Sequence, residues 1–441
     1  MATLTLDPGA RHELKIFGVL AAVFAAVYFL PVGQPRFDAA VTEALELTKW
    51  YAREHVVLCL LPAFWIAGAI AAFVSKASVM RYLGPAAPKP LAYGVGSVSG
   101  TILAVCSCTV LPIFSGIYRM GAGLGPATAF LYSGPAINVL AIVMTAKILG
   151  AQFGLARAVG AVVFSVIIGI LMAVIFRHDE QQKIAAAATL PEPEAGRPLT
   201  QTAAFFTVLV GILIFANWGA ASQQTGFFAA VYSVKWLVTS ALGVVLAVML
   251  WRWFKLEPVR IATVAAATAI TAFALPGHPT WPFLVAVLGM AWLTAGREDE
   301  AGEWFNQAWD YTKQILPLLL AGVLVAGFLL GGPSGSDKGL IPNSWIAESV
   351  GGNSLFANLF ASVVGAFMYF ATLTEVPILE GLIKSGMGKG PALALLLSGP
   401  ALSLPSMIVI RSVMGTKKTV VFVGLVIVLS TVAGLIYGTI F

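Results

Sequence analysis

Charge is scarce in this sequence. Lys and Arg number 26 and Asp and Glu 20 in 441 residues, so charged side chains make up 10% of the chain, where a soluble domain carries about 25%. Too few polar groups are present to cover a water-exposed fold, which excludes an ordinary soluble protein. Cysteine is scarcer still, with Cys59, Cys106 and Cys108 the three present. An odd count in apolar surroundings argues against a disulfide framework, and without a second Cys pair a four-ligand zinc site is not expected. No nucleotide-binding Gly-rich loop, dinucleotide fingerprint or Ser/His/Asp arrangement in a supporting context occurs. ATP-driven work by this chain alone is therefore disfavoured, and no enzyme activity, cofactor or metal is expected. The net charge of +6 is spread over many short loops. That suits an anionic membrane face rather than nucleic acid.

What is present in quantity is apolar sequence: 59% of residues are hydrophobic, and the mean hydropathy is +0.90. Apolar runs recur from end to end, each near the ~20 residues that a helix needs to cross a bilayer. The expected fold is all-α, a polytopic integral membrane protein of the inner or plasma membrane. Spans are expected near 16–31, 55–75, 91–113, 126–149, 152–176, 202–217, 227–251, 260–275, 281–294, 314–331, 353–371, 391–410 and 419–440. The first run is read as a retained anchor helix, because no convincing signal-peptide cleavage site follows it. The long polar stretch RHDEQQK to PEPEAGRP reads as a solvated linker. The expected organisation is an anchor helix at 1–37, a first bundle at 38–176, the linker at 177–200, central helices at 201–296 and a second bundle at 297–441.

The strongest signal is an internal repeat. CSCTVLPIFSGIYRMGAGLGPATAFLYSGPA (Cys106 to Ala136) and ATLTEVPILEGLIKSGMGKGPALALLLSGPA (Ala371 to Ala401) align without a gap at one offset of 265 positions. Pro112 and Pro377, Gly121 and Gly386, and Gly134-Pro135 and Gly399-Pro400 coincide, and hydrophobicity alone does not align Pro and Gly columns. Paired, Gly/Pro-interrupted apolar segments point to a substrate site at a repeat interface. Proline removes a backbone N–H, and the groups so freed must face protein, water or cargo rather than lipid. The competing reading is close helix packing through small residues. Thirteen full crossings would set the units parallel. They would also put Arg252, Lys255 and Arg260 opposite Lys76, Arg81 and Lys89, against the positive-inside tendency, so broken-helix SGPA units in inverted orientation are expected.

Within these units several side chains are candidates for chemistry. On a helix, residues two apart diverge, whereas on an extended segment they share a face. Cys106 and Cys108, with Ser107 between them, can hold one cargo only if the segment is unwound, and Cys59 is a third sulfur from another span. Thiolates select soft, thiophilic partners, although free Cys is also a common buried hydrophobe. Glu375 and Glu380 stand in the second unit where the first has Val110 and Ser115. Carboxylates inside a bilayer usually face a cavity and often carry protons or cations, which makes these two the proton-coupling candidates. Ser133 and Ser398 open the SGPA turns, and Asn138 and Ser403 follow them at equivalent positions, where amide and hydroxyl can bond cargo or unwound backbone, with helix capping the competing role. Arg119 and Lys384 are read as snorkelling cations at the interface.

CSCTVLPIFSGIYRMGAGLGPATAFLYSGPAINVLAIV (Cys106 to Val143) and TLTEVPILEGLIKSGMGKGPALALLLSGPALSLPSM (Thr372 to Met407) resemble the ArsP-type permeases, the predicted-permease group that includes organoarsenical efflux proteins. Arg177 to Thr312 carries no matching motif, and the chain is longer than the shorter exporters of the group. The resemblance implies export of trivalent organoarsenicals such as methylarsenite, with membrane thiols in recognition. A monomethyl arsenical keeps two positions for sulfur, which Cys106 and Cys108 would fill; inorganic arsenite, with three, would bring in Cys59. The reading is then an efflux permease, gradient-driven, for a small thiophilic metalloid species. Its partners are that solute and the lipid bilayer, and a homo-oligomer is left open. A permease for a sulfur-containing anion or metal complex, a membrane thiol-redox protein and a channel are the alternatives.

Overall fold

The computed structural model describes residues 13, 17–18, 20–21, 23–25, 27–73, 83–84, 87–103, 107–137, 139–179, 181, 198–218, 227–331, 338–341, 349–368, 375–384 and 386–441. These form helices and the turns between them, with one isolated bridge between Gly351 and Met387 among the described residues.

The helix α1, Pro35–Phe73, runs unbroken for 39 residues. It starts on a proline, whose fixed φ suits a first helical position and whose missing N–H is not needed there. Its first half is polar, which is why hydropathy alone starts the span twenty residues later. Ala52–Leu60 is wound as π-helix, with Pro62 just beyond. Pro62 brings no backbone N–H donor to the turn before it. The Asn217 side chain supplies one, donating to Leu58 O at 2.7 Å.

Fifteen helices follow among the described residues, the first eight of them before Leu275. They are α2 (Lys89–Leu103), α3 (Ser107–Arg119), α4 (Leu124–Ala136), α5 (Val139–Ile148), α6 (Ala151–Ile175), α7 (Leu199–Ala216), α8 (Phe227–Phe254) and α9 (Pro258–Ala274). The rest are α10 (Thr280–Thr294), α11 (Glu300–Leu330), α12 (Leu355–Phe367), α13 (Glu375–Lys384), α14 (Lys389–Ser398), α15 (Leu404–Met414) and α16 (Thr416–Ile440). Helices α1, α6, α8, α11 and α16 are long and apolar enough to cross a membrane. The chain is thus an all-α, multi-pass membrane protein. Two expected spans are each two helices. The run 126–149 divides into α4 and α5, and 391–410 into α14 and α15, because the SGPA segments end α4 at Ala136 and α14 at Ser398. At 13 residues α4 is about 20 Å long, short of a ~30 Å hydrocarbon layer.

Several helix features stand 265 positions apart. Helices α6 and α16 are both 25 residues long and begin at Ala151 and Thr416, 265 positions apart. Gly121 and Gly386 both end a helix with positive φ, 101° and 106°, a conformation that glycine alone adopts without strain. Where α4 crosses α6, a Cβ on Gly169 would stand 2.7 Å from Gly125 O; where α14 crosses α16, one on Gly434 would stand 2.6 Å from Gly390 O. Such close backbone approach is how helices associate where lipid removes the hydrophobic drive.

Two pairs of long helices run antiparallel. Phe37 near the start of α1 packs edge-on against Phe328 near the end of α11 at 5.7 Å, and Trp65 packs against Trp304 at 4.7 Å. Trp304 also donates to Trp65 O at 2.8 Å. Phe153 at the start of α6 lies 4.9 Å from Tyr437 at the end of α16. At the other end, Asp179 beyond α6 pairs with Lys418 at 2.7 Å. Trp304 anchors an aromatic cluster with Phe205 of α7 and Phe254 of α8. Helix α9 buries no residue and turns Val259, Ile270 and Phe273 outward, as a lipid-facing helix does.

Candidate functional site

Helix α6 carries one charged residue, Arg157, in 25 otherwise uncharged positions, and it is fully buried. An isolated charge there would be prohibitive, so its partners decide what it does. Nε donates to Ala136 O, the last carbonyl of α4, at 3.4 Å, and Nη1 donates to Thr145 Oγ1 of α5 at 3.0 Å. The Thr145 hydroxyl spends its own proton on Ala141 O at 2.7 Å, so a lone pair faces the guanidinium. Nη2 pairs with Glu375 Oε2 at 3.2 Å, and the two side chains are 0% and 1% exposed.

Both charges sit at helix ends of the favourable sign. Arg157 lies against the C-terminal carbonyls of α4, where cations are stabilised, and Glu375 is the first residue of α13, where anions are. The pairing is a single bond rather than the two-pronged geometry that Arg and carboxylate usually reach. Glu375 Oε1 is buried and has no hydrogen-bond partner among the described residues. A buried acceptor left so costs about 1–3 kcal/mol, and more when charged, unless a proton or a ligand donor reaches it. Beside the pair, the buried Tyr132 of α4 donates to Leu397 O of α14 at 3.1 Å, supplying one of the terminal carbonyls of that helix.

Of the residues singled out in the sequence, Glu375 is the one at this centre. Glu380 is partly exposed farther along α13. Cys106 and Asn138 lie outside the described residues. Ser107 and Cys108 open α3, but their side chains lie outside the described ones. Cys59 is buried, 4% exposed, within the π-helical segment of α1. Ser133 donates to Gly96 O at 3.0 Å, and Ser398 donates to Leu395 O within its own helix. Ser403 caps α15, accepting from Ser406 N at 3.2 Å. Pro112 lies inside α3 and Pro135 one residue before the end of α4, after Gly134. Pro377 is the third residue of α13; Gly399 caps α14 and Pro400 follows it. Arg119 reaches across to α11, hydrogen-bonded to Gln314 and 5.1 Å above the Tyr311 ring. The side chain of Lys384 lies outside the described ones. Among the described residues no group of three or more His, Cys, Asp or Glu comes together as a metal site.

Arg157 and Thr145 escaped the sequence reading. A lone Arg inside a 25-residue apolar run was the available signal, since an ionisable residue in a membrane span marks a functional site by default.

Residues 41–439 match the family model of the predicted permeases of the ArsP_1 type. The UPF0718 protein MJ0584 of Methanocaldococcus jannaschii is 40% identical over 399 residues, covering 88% of this chain and 93% of the relative. The UPF0718 protein YraQ of Escherichia coli K12 is 22% identical over 326 residues, covering 73% of this chain and 62% of the relative. No solved structure matches the chain.

Proposed function

Because the chain belongs to the predicted-permease family, a family of transporters rather than enzymes, we propose that it is a gradient-driven efflux permease of the inner or plasma membrane. Its cargo is a small thiophilic solute, first of all a trivalent organoarsenical such as methylarsenite. Cys106 and Cys108 take it up by condensation: two thiols replace the two hydroxyls on arsenic, two waters leave, and no oxidant is consumed. Soft sulfur ligands and a soft metalloid make that exchange favourable and reversible. The helices that recur at the 265-residue offset form two inverted units, a reading supported by the antiparallel course of α6 and α16.

One observation carries the coupling: a fully buried carboxylate, Glu375, opens a short helix next to a charge of opposite sign and keeps one oxygen without a partner among the described residues. Glu375 is the proton carrier, and a proton on Oε1 neutralises the group. One proton moving down 100 mV yields about 2.3 kcal/mol, enough for a cargo gradient of roughly fifty-fold.

Growth on methylarsenite, in a host lacking its own exporters, tests the cargo. The chain should confer resistance, and the double replacement Cys106→Ser and Cys108→Ser should remove it at equal protein level. Resistance that survives the double replacement removes the thiol mechanism; no resistance from the intact chain removes the arsenical.

A further inference from the structure

We propose that Arg157 is a positioning residue whose bond to Glu375 latches the two inverted units together, and that a proton taken by Glu375 releases the latch. The inference rests on that part of the reading above by which Glu375 takes up a proton.

Two of the three bonds of Arg157 stay within its own unit, to Ala136 O and Thr145 Oγ1. Only the third crosses to the other unit, to Glu375. When that bond breaks, Arg157 keeps its place and its two acceptors, so the change falls on Glu375 and the start of α13. The single-pronged pair rests on one charge-assisted bond; a proton on Oε1 leaves Oε2 a neutral carbonyl oxygen and so weakens that bond.

At the positions one offset away no such pair stands. At the 265-residue offset, Arg157 corresponds to Phe422 and Glu375 to Val110, both buried, 0% and 2% exposed. The same two helix positions are thus filled once by apolar side chains and once by charges. Apolar replacement of a buried ion pair is often neutral or stabilising. A charged version kept at one of two equivalent places therefore serves something other than packing.

The surroundings leave Glu375 with few competitors. The elements packed on α13 and α6 bring Tyr132 from α4, Lys89 and Tyr93 from α2, Lys389 from α14, and Lys417, Lys418 and Tyr437 from α16. Glu380 lies on α13 itself, and the side chains of Lys147 and Lys384 are outside the described ones. Tyr132 is spent on Leu397 O, Lys389 on Phe441 O and Lys418 on Asp179. Among the described residues Arg157 is the ion-pair partner of Glu375.

Hydrogen exchange of the full chain in lipid nanodiscs, read as protection factors so that the intrinsic pH dependence drops out, follows the latch without any cargo. From about pH 8 to about pH 5 the protection of α13 should fall roughly tenfold in the native chain. Glu375→Gln, and the double variant Arg157→Met with Glu375→Gln, should show the low protection at both pH values while α6 and α16 stay protected. The double variant leaves no unpaired charge, which keeps the test open if the single one folds poorly. Protection of α13 that ignores pH, or that stays native in the double variant, overturns the latch. Vesicle transport separates this from the parent reading. If Glu375→Gln flattens the pH dependence of transport but α13 never responds, the carrier stands and the latch falls. If α13 responds while transport ignores pH, the latch stands and the carrier reading falls.

Discussion

Two glycines of the same helix should respond oppositely to one added methyl group. Gly424 and Gly434 both lie in α16. A Cβ at Gly424 would meet nothing within 4 Å, whereas one at Gly434 would collide with Asn358 Oδ1 and stand 2.6 Å from Gly390 O and 2.8 Å from Ala394 Cβ. The Asn358 amide cannot simply swing away, because its Nδ2 donates to Asn353 Oδ1 and Ser354 O, both at 2.9 Å. Helix α14 must therefore move out by about an ångström, an overpacking cost of roughly 1–3 kcal/mol, with ~1 kcal/mol more if an Asn358 bond is lost. Against this stands the gain of about 1 kcal/mol that Ala has over Gly within a helix. Gly434→Ala should then destabilise by about 1–3 kcal/mol and Gly424→Ala stabilise by up to ~1 kcal/mol. Thermal unfolding of the two purified variants in one lipid or detergent is the assay, and the melting temperatures should move in opposite directions by a few degrees. Equal shifts would refute the close crossing of α14 and α16. Gly169→Ala should follow Gly434→Ala in sign, since its Cβ would meet Gly125 O at 2.7 Å and the Tyr93 ring at 2.8 Å.

Arg157→Met alone should cost about 3–5 kcal/mol, because it leaves Glu375 charged and buried, and adding Glu375→Gln should return much of that in the same melts. Asn217→Ala should cost about 1 kcal/mol by removing the side-chain donor to Leu58 O, and less in a Pro62→Ala background, where the turn regains a backbone N–H; a double-mutant cycle reads the difference. Asp299 caps α11, accepting from Ala301 N and Gly302 N at 3.1 and 3.2 Å. The Arg297 guanidinium, and then the backbone donors, hold its carboxyl below the usual range. The stability it gives is therefore present above about pH 4, the ordinary carboxylate value, and is lost as pH falls through the lowered value. Because its side chain is 42% exposed, Asp299→Ala should remove only a small acid-side component of an unfolding-versus-pH curve, and less of it in high salt.

The helical class and the turn glycines were legible in the sequence because each has a local cause. Gly121 and Gly386 had to be glycine for their positive φ, and that need prints the same letter twice. The divisions of 126–149 and 391–410 into two helices were hidden, since hydropathy averages over a Gly-Pro step flanked by apolar residues. The start of α1 was hidden for the opposite reason: its first half buries Ala40, Ala44 and Leu47 between polar residues, so it does not read as lipid-soluble. The centre of the site was half legible. Glu375 stood out as a carboxylate after an apolar run, but its partner is 218 positions away on a helix that reads as plain membrane span. The same holds for Asn217, 159 positions from the carbonyl it satisfies. Such pairings exist only once helices are packed, and no local pattern announces them.

The most direct test is methylarsenite movement in proteoliposomes under an imposed pH gradient. Cargo should run against its own gradient when protons run with theirs, and Glu375→Gln should abolish that uphill movement while still allowing exchange of cargo for cargo. Uphill movement that persists in Glu375→Gln at native strength would contradict the account.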